Sequence, residues 1–267
     1  VVQEDGMDKT PLLTVRNLTL GHLNGYPLAQ DLSFTLKDGE VLSVLGRNGV
    51  GKSTLLNCLR GLIHPREGEA QLCGARIHGM KPAVYAKTVA VVPQHQASAF
   101  DFTVLDYVLM GRTAHLGLFA SPDRKARDLA MEVLVRVGLS HLACGSITAI
   151  SGGERQMAAI ARALVQEPRL LLLDEPTSHL DMANQNKVLG LLVQLNREGM
   201  AILTTSHFPE HARDLGGAAL VLTEANGHLL GPVEEMVTPA VLERAYGLPI
   251  SIASTAEGRI ACLPTHL

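Results

Sequence analysis

The chain has 267 residues, 46% of them hydrophobic and 18% charged, and a formal net charge of −3. That length fits one large α/β domain or two small ones, and the apolar share builds a core without disulfides. There is no basic block, so nucleic acid is not an expected partner. No apolar run approaches the ~20 residues needed to cross a bilayer, and Cys58, Cys73, Cys144 and Cys262 lack the C-x-x-C spacing of a zinc site.

Residues 1–11 are polar and read as a flexible N-terminal segment without a basic-then-apolar signal pattern. Leu12–Leu20 and Asp31–Leu36 read as strands, with Asn24-Gly25 as turn chemistry between them. Val41–Leu45 is a short continuous apolar run, as in a central strand buried on both faces. Directly after it stand Gly46-Arg47-Asn48-Gly49-Val50-Gly51-Lys52-Ser53-Thr54, a phosphate-binding loop of the G-x-x-x-x-G-K-[ST] type. The glycines let successive backbone N–H groups point at phosphate oxygens, and the helix expected over Lys52–Leu62 adds its positive dipole end. Lys52 is expected on the β- and γ-phosphates and Ser53 on Mg2+, so the ligand is a nucleoside triphosphate.

Val89–Val92 is the next strand, ended by Pro93. From about residue 95 to 150 strand signals vanish, and Val104–Arg112 and Arg124–Gly138 carry helical spacing. This stretch is read as an inserted helical subdomain. Gly153–Gln166 is a helix with Met157, Ile160, Ala161 and Leu164 on one face, stopped by Pro168. Leu170–Leu173 is a buried strand that delivers Asp174-Glu175 at its C-terminal end, where open α/β sheets place ligands. Asp174 is expected to hold Mg2+ and Glu175 to polarise the attacking water. Ala183–Arg197 is amphipathic through Val188, Leu191, Leu192 and Leu195. Ala201–Thr205 is a strand, and Ala218–Thr223 and His228–Leu230 flank the hairpin signal Asn226-Gly227. Strands alternating with helices predict a mainly parallel sheet.

Ser151-Gly152-Gly153-Glu154 precedes a helix and offers a second anion site at its N-terminus, although alone it is better read as an ordinary Ser cap with its Glu partner. Together with the phosphate loop, Gln94, Ser151–Gln156, Leu170–Glu175, Ser178–Asp181 and His207 stand in the order of an ABC-transporter ATPase subunit. The chain resembles that family over roughly residues 12–250, read as a single domain followed by a tail at 251–267. The resemblance implies a phosphate-loop NTPase core with a mainly parallel sheet, an antiparallel β subdomain on the N-terminal side and the inserted helical subdomain.

It also implies roles. Gln94 is similar to the lid glutamine that touches Mg2+ and the attacking water. Ser151, Gly152, Gly153 and Glu154 match the segment that caps the γ-phosphate of ATP held by a second copy, so that two copies sandwich two ATPs. Asp181 falls in the loop that connects the two sites, and His207 resembles the switch histidine on the γ-phosphate. Gly46, Asn48, Gly49, Gly51, Lys52, Ser53 and Thr54 cradle the phosphates. Either His22 or Tyr26 meets the adenine. His211, four residues after His207, is not read as a metal partner.

Phe102–Phe119 and the segment Val237-Thr238-Pro239 resemble importer ATPases for iron chelates, haem, cobalamin and molybdate. That branch implies a separate permease dimer docked near Phe100–Phe119, a periplasmic or lipoprotein binding protein, and a place on the cytoplasmic face of the membrane. A molybdate or tungstate importer, or a non-transport ABC ATPase such as one of iron–sulfur cluster assembly, are the alternatives.

Overall fold

The computed structural model describes residues 11–21, 26–94, 101–116, 120–224, 226–256 and 258–265. Strands β1 (Leu13–Gly21) and β2 (Pro27–Leu36) pair antiparallel, and β1 also pairs with β4 (Glu67–Leu72), which carries the two-residue β5 (Ala75–Arg76) at its edge. This is the antiparallel sheet on the N-terminal side. β3 (Val41–Leu45) opens the main sheet and leads through the phosphate loop into α1 (Lys52–Leu59). A short α2 (Pro82–Ala86) precedes β6 (Val89–Val92).

The helical region follows. It contains α3 (Val104–Leu109), a 3-10 stretch at Met110–His115, α4 (Arg124–Arg136) and α5 (Gly152–Leu164). The chain then re-enters the main sheet through β7 (Leu170–Leu173), α6 (Met182–Arg197), β8 (Ala201–Ser206), α7 (Pro209–Leu215), β9 (Ala218–Leu222) and β10 (His228–Pro232). It ends with α8 (Val233–Met236), α9 (Pro239–Tyr246) and a hairpin of β11 (Ile250–Ser254) and β12 (Ile260–Pro264).

The main sheet has the order β10-β9-β3-β8-β7-β6, parallel throughout except for β10. Its inner strands are fully buried, which is why they read as largely apolar runs, broken only by Ser43 in β3 and by the hydroxyl residues Thr204, Thr205 and Ser206 ending β8. The period of two still operates within them. Leu171 and Leu173 of β7 pack with the helical region, α5 and α6, whereas Leu170 and Leu172 pack with α1 and the antiparallel sheet. Val188, Leu191, Leu192 and Leu195 of α6 all lie in the first of these cores, as their spacing predicts. A third, smaller core joins Leu45, Val221, Leu242 and Ala245, with Ile250, Ile252, Ile260 and Cys262 of the terminal hairpin packed against it.

Three expectations change. The first helix stops at Leu59, because Gly61 at φ 72 ends it with its N–H on the Cys58 carbonyl. Val104–Arg112 divides into α3 and a tighter turn, since Gly111 lies against the backbone of Arg162. The terminal segment is a packed hairpin.

Candidate active site

The site assembles at the C-terminal ends of four neighbouring parallel strands. β3 supplies the phosphate loop, β6 ends two residues before Gln94, β7 delivers Asp174 and Glu175, and β8 is followed by His207. A cleft of about 520 Å³ is lined by Lys52, Ser53, Thr54, Gln94, Glu175 and His207, together with Asn48, Gly49 and Gly51 of the loop.

The loop holds its shape through two glycines. Gly51 caps α1 at φ 117, so no side chain occupies the first-turn N–H groups of that helix. Gly46 has φ 144, and a Cβ there would stand 2.8 Å from the Leu222 carbonyl oxygen. The Lys52 ammonium is folded back, donating to the carbonyls of Gly46 at 2.8 Å and Arg47 at 3.2 Å.

Glu175 is the hub. Its Oε1 lies 3.2 Å from Lys52 Nζ. Its Oε2 accepts a hydrogen bond from Gln94 Nε2 at 3.1 Å and lies 3.3 Å from His207 Nδ1. Its backbone adopts φ 46, a left-handed conformation unusual for a residue with a side chain, and its N–H is tied to Thr205 Oγ1 at 2.9 Å. Thr205 in turn donates to Asp174 Oδ1 at 2.8 Å. One buried hydroxyl therefore sets both acidic residues. Ser53 Oγ lies 3.4 Å from Asp174 Oδ1, which puts two hard oxygen donors side by side, the donor type that Mg2+ takes.

The profile of the family described as ABC transporter matches residues 29–178. The chain belongs to the ABC transporter family. A probable iron chelatin transport ATP-binding protein of Helicobacter pylori (strain ATCC 700392 / 26695) is 42% identical over 241 residues, covering 90% of this chain and 94% of its own. The molybdate import ATP-binding protein MolC of Haemophilus influenzae is 39% identical over 239 residues, 89% of each chain. Among solved structures, an inward-facing conformation of an ABC transporter described as of metal-chelate type superposes with a TM-score of 0.85 at 35% identity, covering 96% of this chain and 98% of that one. As an ABC ATPase subunit the chain binds and hydrolyses ATP; ATP-binding subunits of ABC importers work with a membrane permease and dimerise. Among its described residues no helix is long and apolar enough to cross a membrane.

Among the described residues, Ser151, Gly152, Gly153, Glu154, Asp181 and Tyr26 do not line this cleft. Ser151 caps α5 in a full capping box: its Oγ accepts from the Glu154 N–H at 3.3 Å and donates to Glu154 Oε2 at 2.7 Å, while its own N–H donates to the same oxygen at 2.8 Å. Those bonds hold the Glu154 carboxyl below its ordinary range. Neither Ser151, Gly152, Gly153 nor Glu154 lines the cleft. Asp181 caps α6, accepting from the Asn184 N–H at 2.8 Å. Tyr26 is 93% exposed, and His22 falls outside the described residues. His211 is buried, its Nδ1 3.1 Å from Thr177 Oγ1.

Thr205 and Tyr246 were not singled out in the sequence. A hydroxyl ending the otherwise apolar start of β8 is the signal for Thr205. Nothing local marks Tyr246.

Proposed function

We propose that this chain is the motor of an importer for a metal chelate such as ferric siderophore, haem or cobalamin, with molybdate or tungstate as the alternative cargo. The observation that carries the catalytic part is the Glu175 carboxylate, held at once by Lys52, Gln94 and His207. Phosphoryl transfer to water needs an oriented nucleophile and neutralised charge more than covalent participation.

In this reading the phosphate loop, from Gly46 to Thr54, grips the triphosphate, with Lys52 on the β- and γ-phosphates. Ser53 and Asp174, with Gln94, would hold Mg2+, which supplies charge neutralisation when bound. Glu175 takes the proton of the attacking water, and His207 and Gln94 fix the position of that water. The Ser151–Glu154 helix end faces ATP on a second copy, and Asp181 communicates between the two sites. The distance of Ser151 from the cleft supports this division of labour, because one copy then supplies only half of the phosphate ligands.

The permease is proposed to dock on a second cleft of about 540 Å³ between the sheet and the helical region, bordered by Leu62, Met80, Tyr85, Met110 and Arg162. Leu62 of this cleft is exposed, as are Ile63 next to it in the chain and Val84 of α2. The described part of the Phe100–Phe119 segment contributes less than its composition suggests, since Val104, Tyr107, Val108 and Leu109 are core. Phe100 and residues 117–119 lie outside the described residues. The working location is the cytoplasmic face of the membrane, reached through the permease, with a periplasmic or lipoprotein binding protein delivering the cargo. A reconstituted complex should hydrolyse ATP faster in the presence of one member of a panel of ferric siderophores, haem, cobalamin and molybdate. No stimulation by any of them would remove the cargo assignment.

A further inference from the structure

The C-terminal segment reaches the reaction centre at one point. α9 ends at Tyr246, whose hydroxyl donates to the backbone carbonyl of His207 at 3.2 Å. The same phenol oxygen faces the backbone of Gly46, the first glycine of the phosphate loop. One side chain thus joins the two elements whose separation sets how far His207 and Glu175 stand from the phosphates. We infer that Tyr246 is a positioning residue for ATP hydrolysis, acting through the His207 main chain and the phosphate loop; this rests on the proposed hydrolytic role of Glu175 and His207.

The need for such a tie follows from the chain. β8 ends at Ser206, so His207 has left the sheet and its ladder bonds. Ser206 Oγ accepts from the Phe208 N–H at 2.9 Å, and the Phe208 ring packs tilted against His207 at 3.9 Å between centroids. These contacts orient the turn locally, whereas Tyr246 holds the His207 main chain from α9, beside the loop that binds phosphate. Tyr246 is itself fixed from behind, where Leu242 and Ala245 of α9 lie in the third core beneath the terminal hairpin. Burial holds the phenol well above its usual ionisation range, so it remains a donor throughout the working pH range. The carboxylate of Glu210 is close enough to add to that effect.

The step affected is orientation of the water, not nucleotide binding. Lys52 and the loop amides keep their own geometry without the phenol oxygen, because Lys52 is anchored on Gly46 and Arg47 carbonyls. A lost hydroxyl should therefore lower kcat and spare KM.

The test is Tyr246→Phe in the full chain, with kcat and KM for MgATP measured beside thermal unfolding. Phe keeps the ring in the core and removes only the hydroxyl. The expected result is a kcat reduced about 5- to 10-fold, the scale of one hydrogen bond, with KM within about twofold and Tm unchanged. Unchanged kcat would overturn the proposal. So would a lower kcat that parallels a lower Tm, since that is loss of packing; Tyr246→Leu, which removes the ring as well, shows what packing loss looks like. Wild-type and Glu175→Gln controls separate the two levels. If wild type is inactive or Glu175→Gln is fully active, the hydrolytic reading itself fails; if those controls behave and Tyr246→Phe matches wild type, only the positioning role fails.

Discussion

The ammonium of Lys52 stands 3.2 Å from Oε1 of Glu175, and the two side chains are 5% and 10% exposed. The cation assigned to the phosphates is paired in this structure with the carboxylate assigned to the water. Triphosphate and carboxylate therefore compete for one buried charge. Glu175→Gln removes the competitor. ATP should bind about 3- to 10-fold more tightly, while turnover drops by about 10²-fold or more, as for loss of a general base. Equilibrium ATP binding and phosphate release, measured side by side, check both halves. Undiminished release in this variant would sink the assigned role of Glu175.

Thr205 carries two bonds, accepting from the Glu175 N–H and donating to Asp174 Oδ1. Thr205→Val is nearly isosteric but removes the acceptor of the Glu175 N–H and leaves Asp174 Oδ1 with only the longer bond from Ser53. A stability loss of about 1–3 kcal/mol is expected in urea unfolding, together with a several-fold loss of turnover. Thr205→Ser should recover most of both. If Val and Ser behave alike, the hydroxyl bridge has no energetic weight.

Burial, with a smaller contribution from nearby His207, pushes His211 down to about 4 from an unfolded value near 6.5. The unfolded chain then binds a proton that the native chain refuses. Stability contributed by neutral His211 is complete above pH 6.5 and declines as pH falls toward 4, by at most about 3 kcal/mol. His211→Gln can still bond to Thr177 but cannot titrate. Its unfolding free energy should vary less than wild type between pH 7 and 4, and parallel curves would show that His211 does not titrate as its burial demands.

Gly111 touches the backbone of α5 so closely that a Cβ would lie 1.9 Å from the Arg162 carbonyl oxygen. The adjoining turn is strapped to the same place, with Arg112 Nη1 donating to the Val165 carbonyl at 2.8 Å and His115 Nε2 lying 2.9 Å from the Gln166 carbonyl. Gly111→Ala is expected to cost about 2–3 kcal/mol in denaturant unfolding. A variant as stable as wild type would show that the turn can lift away freely.

Much of this architecture was legible because strong local signals coincide with strong burial. Val41–Leu45, Val89–Val92 and Leu170–Leu173 have the same bounds in sequence and structure, since a strand buried on both faces is apolar at nearly every position, Ser43 being the exception. β4 was missed for the converse reason. Glu67, Glu69 and Gln71 alternate with few inward apolar residues, and only Ala70 and Leu72 are buried, too short a pattern to stand out. The residues at the strand ends were found by motif and order. Thr205 and Tyr246 act through tertiary contacts, Tyr246 with the His207 carbonyl 39 positions away in the chain, and no local pattern encodes such a meeting. The terminal hairpin escaped because half-buried Ile252 and Cys262 alternate with small or exposed neighbours.

The hydroxyl of Ser151 already has a partner in its own chain, the Glu154 carboxylate 2.7 Å away. For that hydroxyl to serve a phosphate on a second copy it must release one anion to take another. The grip is then a swap of like for like, with little net gain from this bond. Such a handhold suits a reversible machine, because the closed pair can separate once the terminal phosphate leaves, the serine simply returning to the glutamate it started from.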